Sequence, residues 1–283
     1  MRKIILIYLL IFCSIFKVIH AQGNNAIKVP QNETFESSIY FSLDIVSRYI
    51  WRGQPSGGKH IAAQPTFEWY ALDNLTFGVW GTTNFQNKDY NSDGFTPKGY
   101  VELDLYISYI LNSFLTIELY DYYSPTLDKN EDIDTDFFNY GENGVKTLDL
   151  NLVANFSEIW LPLKATVSTF LAGNDFRYNE NDLNPKQNFT TYVELGYTFK
   201  SVFKTFDVIP TLGAVLNNKA KYYYYADYNK PSFVNLNLEF SKTFQLNKSI
   251  NLPISINYIH NAATKNTEPV GRNFITTKLT FEY

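Results

Sequence analysis

The sequence predicts an all-β chain, folded as a transmembrane antiparallel β-barrel of about 12 strands. Three observations predict it. Segments of alternating apolar and polar residues recur along the chain, the polar stretches between them alternate between short and long, and no apolar run after residue 21 has the length of a membrane helix, for which about 20 residues are needed. Period-two alternation gives a strand one apolar face. Closing the sheet turns that face toward lipid and pairs every strand edge, a requirement in hydrocarbon because no water is present to satisfy free N–H and C=O groups.

Residues 1–21 read as a cleaved signal peptide. Arg2 and Lys3 supply a charged start, Ile4 to Phe16 is almost wholly apolar, and Ile19-His20-Ala21 offers a cleavage site. Cys13 sits inside the apolar run behind bulky Phe12, a poor setting for lipid attachment. Residues 22–34 are expected as a short periplasmic N-terminal segment and residues 35–283 as the barrel, because no Pro/Gly/Ser-rich linker divides them. Without Arg2, Lys3 and Lys17 the 24 basic residues fall to 21 against 28 acidic ones, a formal charge of −7, and no cysteine remains. Thiol chemistry is thereby excluded from the mature chain. A nucleic-acid partner is not expected, since phosphate binding needs concentrated Lys and Arg.

The first strand sets Ile39, Phe41, Leu43 and Ile45 against Tyr40, Ser42, Asp44 and Val46. Strands follow from near Ile61 and Leu75, and then Val101, Leu103, Leu105, Ile107 and Tyr109 oppose Glu102, Asp104, Tyr106 and Ser108. After a strand from Phe114, the residues Leu148, Leu150, Leu152, Ala154 and Phe156 oppose Thr147, Asp149, Asn151, Val153 and Asn155. Further strands start near Leu161, Phe189 and Phe206, and Val234, Leu236, Leu238 and Phe240 oppose Asn235, Asn237, Glu239 and Ser241. A strand from Ile250 leads to the last, where Ile275, Thr277, Leu279, Phe281 and Tyr283 oppose Thr276, Lys278, Thr280 and Glu282. That makes twelve, an even number as in bacterial barrels. A final strand ending in an aromatic residue resembles the signal read by the barrel-assembly machinery, an expected partner.

Short connections fall near Asp73-Asn74, Asn112-Ser113, Ser157-Glu158, Ser201 to Thr205 and Asn247-Lys248. Long polar ones begin near Arg52, Gln86, Pro125, Gly173, Asn217 and His260. This matches short periplasmic turns and long outer loops, whereas a soluble sandwich has no reason to sort its loops by length. Tyr49, Trp51, Trp69, Tyr109 and Trp160 lie at strand ends and are expected in the interfacial aromatic girdles.

The run Asp44-Ile45-Val46-Ser47-Arg48-Tyr49-Ile50-Trp51-Arg52-Gly53, followed by Ala63-Gln64-Pro65, Gly78-Val79-Trp80-Gly81 and Asp121-Tyr122-Tyr123-Ser124-Pro125, resembles the TorF-like family of outer-membrane porins. The resemblance is strongest over the first half of the mature chain. It implies an outer-membrane barrel with a transport role.

Arg48 shares the parity of Asp44 and is expected to point inward near the outer end, with Arg52 just beyond in the loop. It reads either as a basic constriction for a solute carboxylate or phosphate, or as half of an internal ion pair. The second reading is preferred, because a charge in such a place is usually paired. The expected pore-lining set is Asp44, Arg48, Glu68, Glu102, Asp104, Glu118, Asp149, Glu194 and Glu239. Inward carboxylates, with Glu282 among them, outnumber Arg48, Lys164 and Lys278, so an open pore would concentrate cations.

The leading expectation is therefore a porin that passes small solutes by diffusion, with a preference for cations. The alternatives are a closed structural or surface-interaction barrel and, further off, an outer-membrane lipid hydrolase. His60 and His260 are assigned to outer loops, and neither has a serine in a nucleophile motif, although Ser56 is close to His60; the chain is not read as an enzyme. The acidic stretch Asp128 to Asp136 offers oxygens to calcium, but Phe137 follows where an EF-hand has glycine and Asn143 stands in place of its glutamate. It reads as a solvated or lipopolysaccharide-facing loop. No cofactor is expected, and the remaining partners are outer-membrane lipids and a small-molecule solute.

Overall fold

Along the strands the usual burial rule is inverted. In the segment Val101–Ile110 the apolar Leu103, Leu105 and Ile107 are 39%, 39% and 43% exposed, whereas Glu102 and Asp104 between them are 7% and 4% exposed. An apolar exterior around a polar interior is what a wall immersed in lipid requires. The computed structural model describes residues 35–86, 98–125, 133–177, 185–220, 223, 230–246, 251–263 and 270–282. The chain divides into Met1–Glu36 and Ser37–Tyr283. The expected leader, the periplasmic segment, the Asn247-Lys248 turn, Asp128 to Asp132 and Tyr283 lie outside the described residues.

The wall is built of β1 (Ser38–Val46), β2 (Ala62–Leu72), β3 (Leu75–Thr83), β4 (Val101–Ile110), β5 (Leu115–Tyr123) and β6 (Lys146–Asn155). It continues with β7 (Leu163–Gly173), β8 (Thr191–Tyr197, resumed as Phe199–Val202), β9 (Phe206–Val215), β10 (Ser232–Gln245), β11 (Asn251–His260) and β12 (Asn273–Glu282). Each pairs antiparallel with its chain neighbours. β12 returns to β1 in the register Leu43↔Phe281 and Asp44↔Thr280. The result is a closed barrel of twelve strands.

Element boundaries follow the expected ones to within about two residues: β7 begins at Leu163 rather than near Leu161 and β8 at Thr191 rather than near Phe189, and β8 is interrupted at Thr198, whose N–H donates to Pro162 O at 2.8 Å beside the start of β7. The long connections 47–61, 84–100, 124–145, 174–190, 216–231 and 261–272 all leave the same end of the barrel. The loop 174–190 carries a ribbon of its own, Phe176–Arg177 against Lys186–Gln187.

Trp69, Tyr109 and Trp160 are exposed on the outer surface, as a girdle needs. Tyr49 and Trp51 are not in it. Tyr49 is buried against Trp80 and Tyr100, and Trp51 stacks on Tyr223 at 5.4 Å inside the barrel. Both belong to the loop after β1, which turns inward, so strand parity no longer governs them. The buried apolar residues gather around this loop, with Tyr122, Phe170, Tyr192, Val215, Tyr223 and Val234 forming the larger cluster.

Candidate functional site in the barrel lumen

The loop 47–61 enters the lumen as a hairpin. Trp51 and Gln54 exchange both backbone hydrogen bonds at 2.8 Å, and the two residues between them, Arg52 and Gly53, have φ of 46° and 80°. Two central residues with positive φ define a type I′ turn, whose twist suits a tight hairpin. Gly53 is required there twice over. Its φ is left-handed, and a Cβ would come 1.8 Å from Val234 O on β10. The Gly53 carbonyl accepts a hydrogen bond from Asn261 Nδ2 at 3.1 Å, fixing the tip against the wall.

Arg52 has no such freedom, and holding a non-glycine residue in this region costs about 1–2 kcal/mol. Its contacts supply the compensation. Nη2 donates to Asp149 Oδ2 at 3.2 Å and Asn151 Oδ1 at 3.1 Å, and Nη1 donates to Ser168 Oγ at 2.9 Å and Tyr223 OH at 2.6 Å. The guanidinium lies 4.6 Å from the ring centroids of both Trp51 and Tyr192. Asp149 is fully buried and also accepts from Ser168 Oγ and, at 3.1 Å, from Tyr122 OH. Asp149 and Ser168 stand on β6 and β7, half a turn of the wall from β1 and β2, so the loop spans the lumen.

An internal ion pair across the lumen is carried by Arg52. Arg48 donates through Nε to Gly58 O at 2.6 Å, and its guanidinium lies 4.8 Å from the Phe274 ring centroid. Arg52 points across the lumen because β1 ends at Val46 and the type I′ turn, not strand alternation, aims it. Burial, followed by the neighbouring Glu102 charge, pushes the Tyr49 hydroxyl of this loop well above the usual tyrosine range.

The remaining expected residues face the interior in different settings. Asp44 accepts from Thr280 Oγ1 at 2.6 Å and lies 3.6 Å from Lys278 Nζ. Glu68 accepts from the hydroxyls of Tyr70 and Tyr106, both at 2.6 Å. Glu102 is buried and accepts from Tyr100 OH at 2.9 Å. Glu194 accepts from Tyr192 OH and from Asn235 Nδ2 at 3.0 Å.

Asp104 and Glu118 line a cavity of about 410 Å³ beside the hairpin, together with Trp80, Tyr106, Tyr120 and Lys164. A second cavity of about 380 Å³ lies toward the opposite end, lined by Asp44, Glu239, Ser255, Lys278, Thr280 and Glu282. The set thus divides between two chambers and a buried layer of hydrogen-bonded carboxylates. The inward aim of Arg52 and the part played by Tyr223 are what sequence reasoning missed. The Arg52-Gly53 pair, read as a two-residue turn, was the available signal for the first.

Outside the lumen, Lys146 on the outward face of β6 forms an ion pair with Asp121 and lies 3.7 Å from the Phe137 ring centroid, with Tyr140 OH donating to Asp121 at 2.9 Å. The loop residues 133–145 thereby fold down over the rim. In that loop Asp134 and Asp136 accept from the backbone N–H groups of Asp136 and Phe138, at 2.9 and 2.8 Å. Among the described residues no group of three or more His, Cys, Asp or Glu side chains converges as a metal site. His260, expected in an outer loop, is the last residue of β11 and pairs through Nδ1 with Asn273 Oδ1 at 2.8 Å.

A closed wall with an apolar exterior, loops sorted to one end and a polar interior crossed by an anchored hairpin define a membrane-spanning β-barrel with a constricted lumen. No family model and no curated protein matches the chain. Among solved structures it is similar to an outer-membrane channel from Pseudomonas putida F1, over 91% of this chain and 100% of that one, at 10% identity and a TM-score of 0.44. It is similar also to Salmonella typhi OmpF, over 87% and 97% of the two chains at 9% identity and a TM-score of 0.38. Pseudomonas aeruginosa OprD matches over 86% of this chain and 66% of its own, at 14% identity and a TM-score of 0.35. At such TM-scores none of these carries weight for the lumen's function, which is read from its own geometry.

Proposed function

We propose that the protein is an outer-membrane channel of porin type, through which small solutes diffuse past the hairpin 47–61, and that it prefers cations. The observation that carries this is the polar lumen: two cavities of about 410 and 380 Å³ are lined by carboxylates, the first of them bordered by the loop that Arg52 and Asp149 anchor. Arg48 and Arg52 engage protein acceptors, and the carboxylates Asp44, Glu68, Asp104, Glu118 and Glu239 outnumber the lumen lysines Lys164 and Lys278, which favours cations along the path. Placement in an outer membrane follows from the closed wall and its apolar belt, with lipid, lipopolysaccharide and the barrel-assembly machinery as partners. The resemblance to TorF-like porins agrees with this reading. Passive passage, not catalysis, is the assigned role.

A second reading, a closed barrel whose outer loops bind a partner, is favoured by the aromatic cluster packed around Trp51 in the outer half of the lumen. Single-channel conductance and reversal potential in a planar bilayer under a potassium chloride gradient separate the two. Discrete steps with a cation-directed reversal potential support the channel. A folded, inserted and electrically silent protein supports the closed barrel.

A further inference from the structure

Asp104 occupies an unusual position in the cavity beside the hairpin. It is 4% exposed, and its Oδ1 has no hydrogen-bond partner among the described residues. A buried carboxylate oxygen left without a donor costs several kcal/mol in such a setting, so its retention at a cavity wall points to a donor supplied from outside the chain. Nearby cations are otherwise engaged or remote. Arg52 is bound to Asp149, Asn151, Ser168 and Tyr223. Lys146 is ion-paired with Asp121, and Lys164, which lines the same cavity, stands three strands away on β7.

The cross-strand neighbours of Asp104 define the rest of the ligand. Its register partners are Trp80 on β3 and Tyr122 on β5, so the carboxylate is flanked at its own level by two inward aromatic side chains. Tyr122 OH is directed to Asp149 and does not serve Asp104. Tyr106 and Tyr120, stacked 4.7 Å apart, continue the aromatic wall, and Glu118 adds a second carboxylate. A bare metal ion would find one free carboxylate oxygen where hard cations take six or more oxygen ligands. An ammonium group fits better: its N–H donates to Oδ1, its charge is held by the carboxylate, and aromatic rings favour both the cation and an attached apolar body.

We infer that this cavity is a binding site for small organic cations, with a primary ammonium at Asp104 and an apolar or aromatic body against Trp80 and Tyr120. The inference rests on the proposed channel reading for the route of entry, but the site itself does not require conduction.

The test is titration calorimetry of the folded full chain in detergent micelles with phenethylammonium, phenethyl alcohol and phenylacetate as probes. Saturable binding of phenethylammonium alone is expected, weakened about tenfold or more in Asp104→Asn and unchanged in Asp73→Asn, in the exposed turn between β2 and β3. Equal binding of the three probes, or equal affinity in wild type and Asp104→Asn, overturns it. The probe comparison needs no variant, so the inference stays testable if Asp104→Asn does not fold. Cation-selective conductance without phenethylammonium binding overturns the site and leaves the channel. Binding in micelles by a protein silent in bilayers does the reverse.

Discussion

Arg52 Nη2 and Asp149 Oδ2 meet 3.2 Å apart inside the barrel, one from the loop after the first strand and the other from the sixth, and both are shielded from solvent. This pair ties the inward hairpin to the opposite wall. Breaking a buried pair from one side costs about 3–5 kcal/mol, because the surviving charge is left without its partner. Asp149→Ala is therefore expected to lower thermal stability by that order and to raise single-channel conductance as the hairpin loosens. Thermal unfolding by circular dichroism and bilayer recording check both. Arg52→Lys keeps the charge but not the four-acceptor fork, and so should lose only part of that stability.

Gly53→Ala probes the same hairpin without altering charge. The new Cβ would meet Val234 O at 1.8 Å and the backbone would remain at φ 80°, so the tip must withdraw. A loss of about 1–3 kcal/mol is expected, with increased amide hydrogen exchange in residues 47–61 and none in β1. Unchanged exchange in the loop would contradict the docking.

Parity of the wall can be tested by charge. Leu103→Lys or Leu150→Lys places an ammonium on the outward face and is expected to cost about 2–4 kcal/mol near the bilayer midplane, impairing membrane assembly. Glu118→Gln, on the inward face, should leave assembly intact and move the reversal potential toward zero. Equal loss of assembled protein from both kinds of change would contradict the assignment of faces.

The loop 174–190 is expected to respond to acid. Burial raises the Asp175 carboxyl to about 6, opposed by hydrogen bonds from the Thr190 side chain and backbone. The folded loop thus holds the proton more tightly than the unfolded chain, so the stabilisation is present below about pH 4 and is lost as pH rises through 6. The span corresponds to about 2–3 kcal/mol of local stability. Hydrogen exchange at the Thr190 amide, slower at pH 4 than at pH 7 after correction for the intrinsic rate, checks the sign. Asp175→Asn should abolish the difference.

The strand pattern was legible because it is written locally. Each of the segments with clear alternation, such as Val101 to Tyr109, states its own two faces, and the membrane reading follows once every connection on one end is short and every one on the other is long. The interruption of β8 at Thr198 was not legible in the local pattern. Nor was the outward Lys146–Asp121 pair, whose burial is provided by Phe137 and Tyr140 of a folded-down loop.

What the sequence by itself determined is the wall: its strand count and the alternation of its two faces, both consequences of a side-chain period of two. What only the tertiary structure decided is what fills the wall. Two arginines four residues apart look equivalent along the chain, yet one binds the nearby Gly58 carbonyl and the other crosses the lumen to Asp149. The physical reason is that a loop's direction depends on where its tip can dock. Gly53 against Val234 and the Arg52 fork against β6 and β7 are contacts between segments that meet only after the barrel has closed.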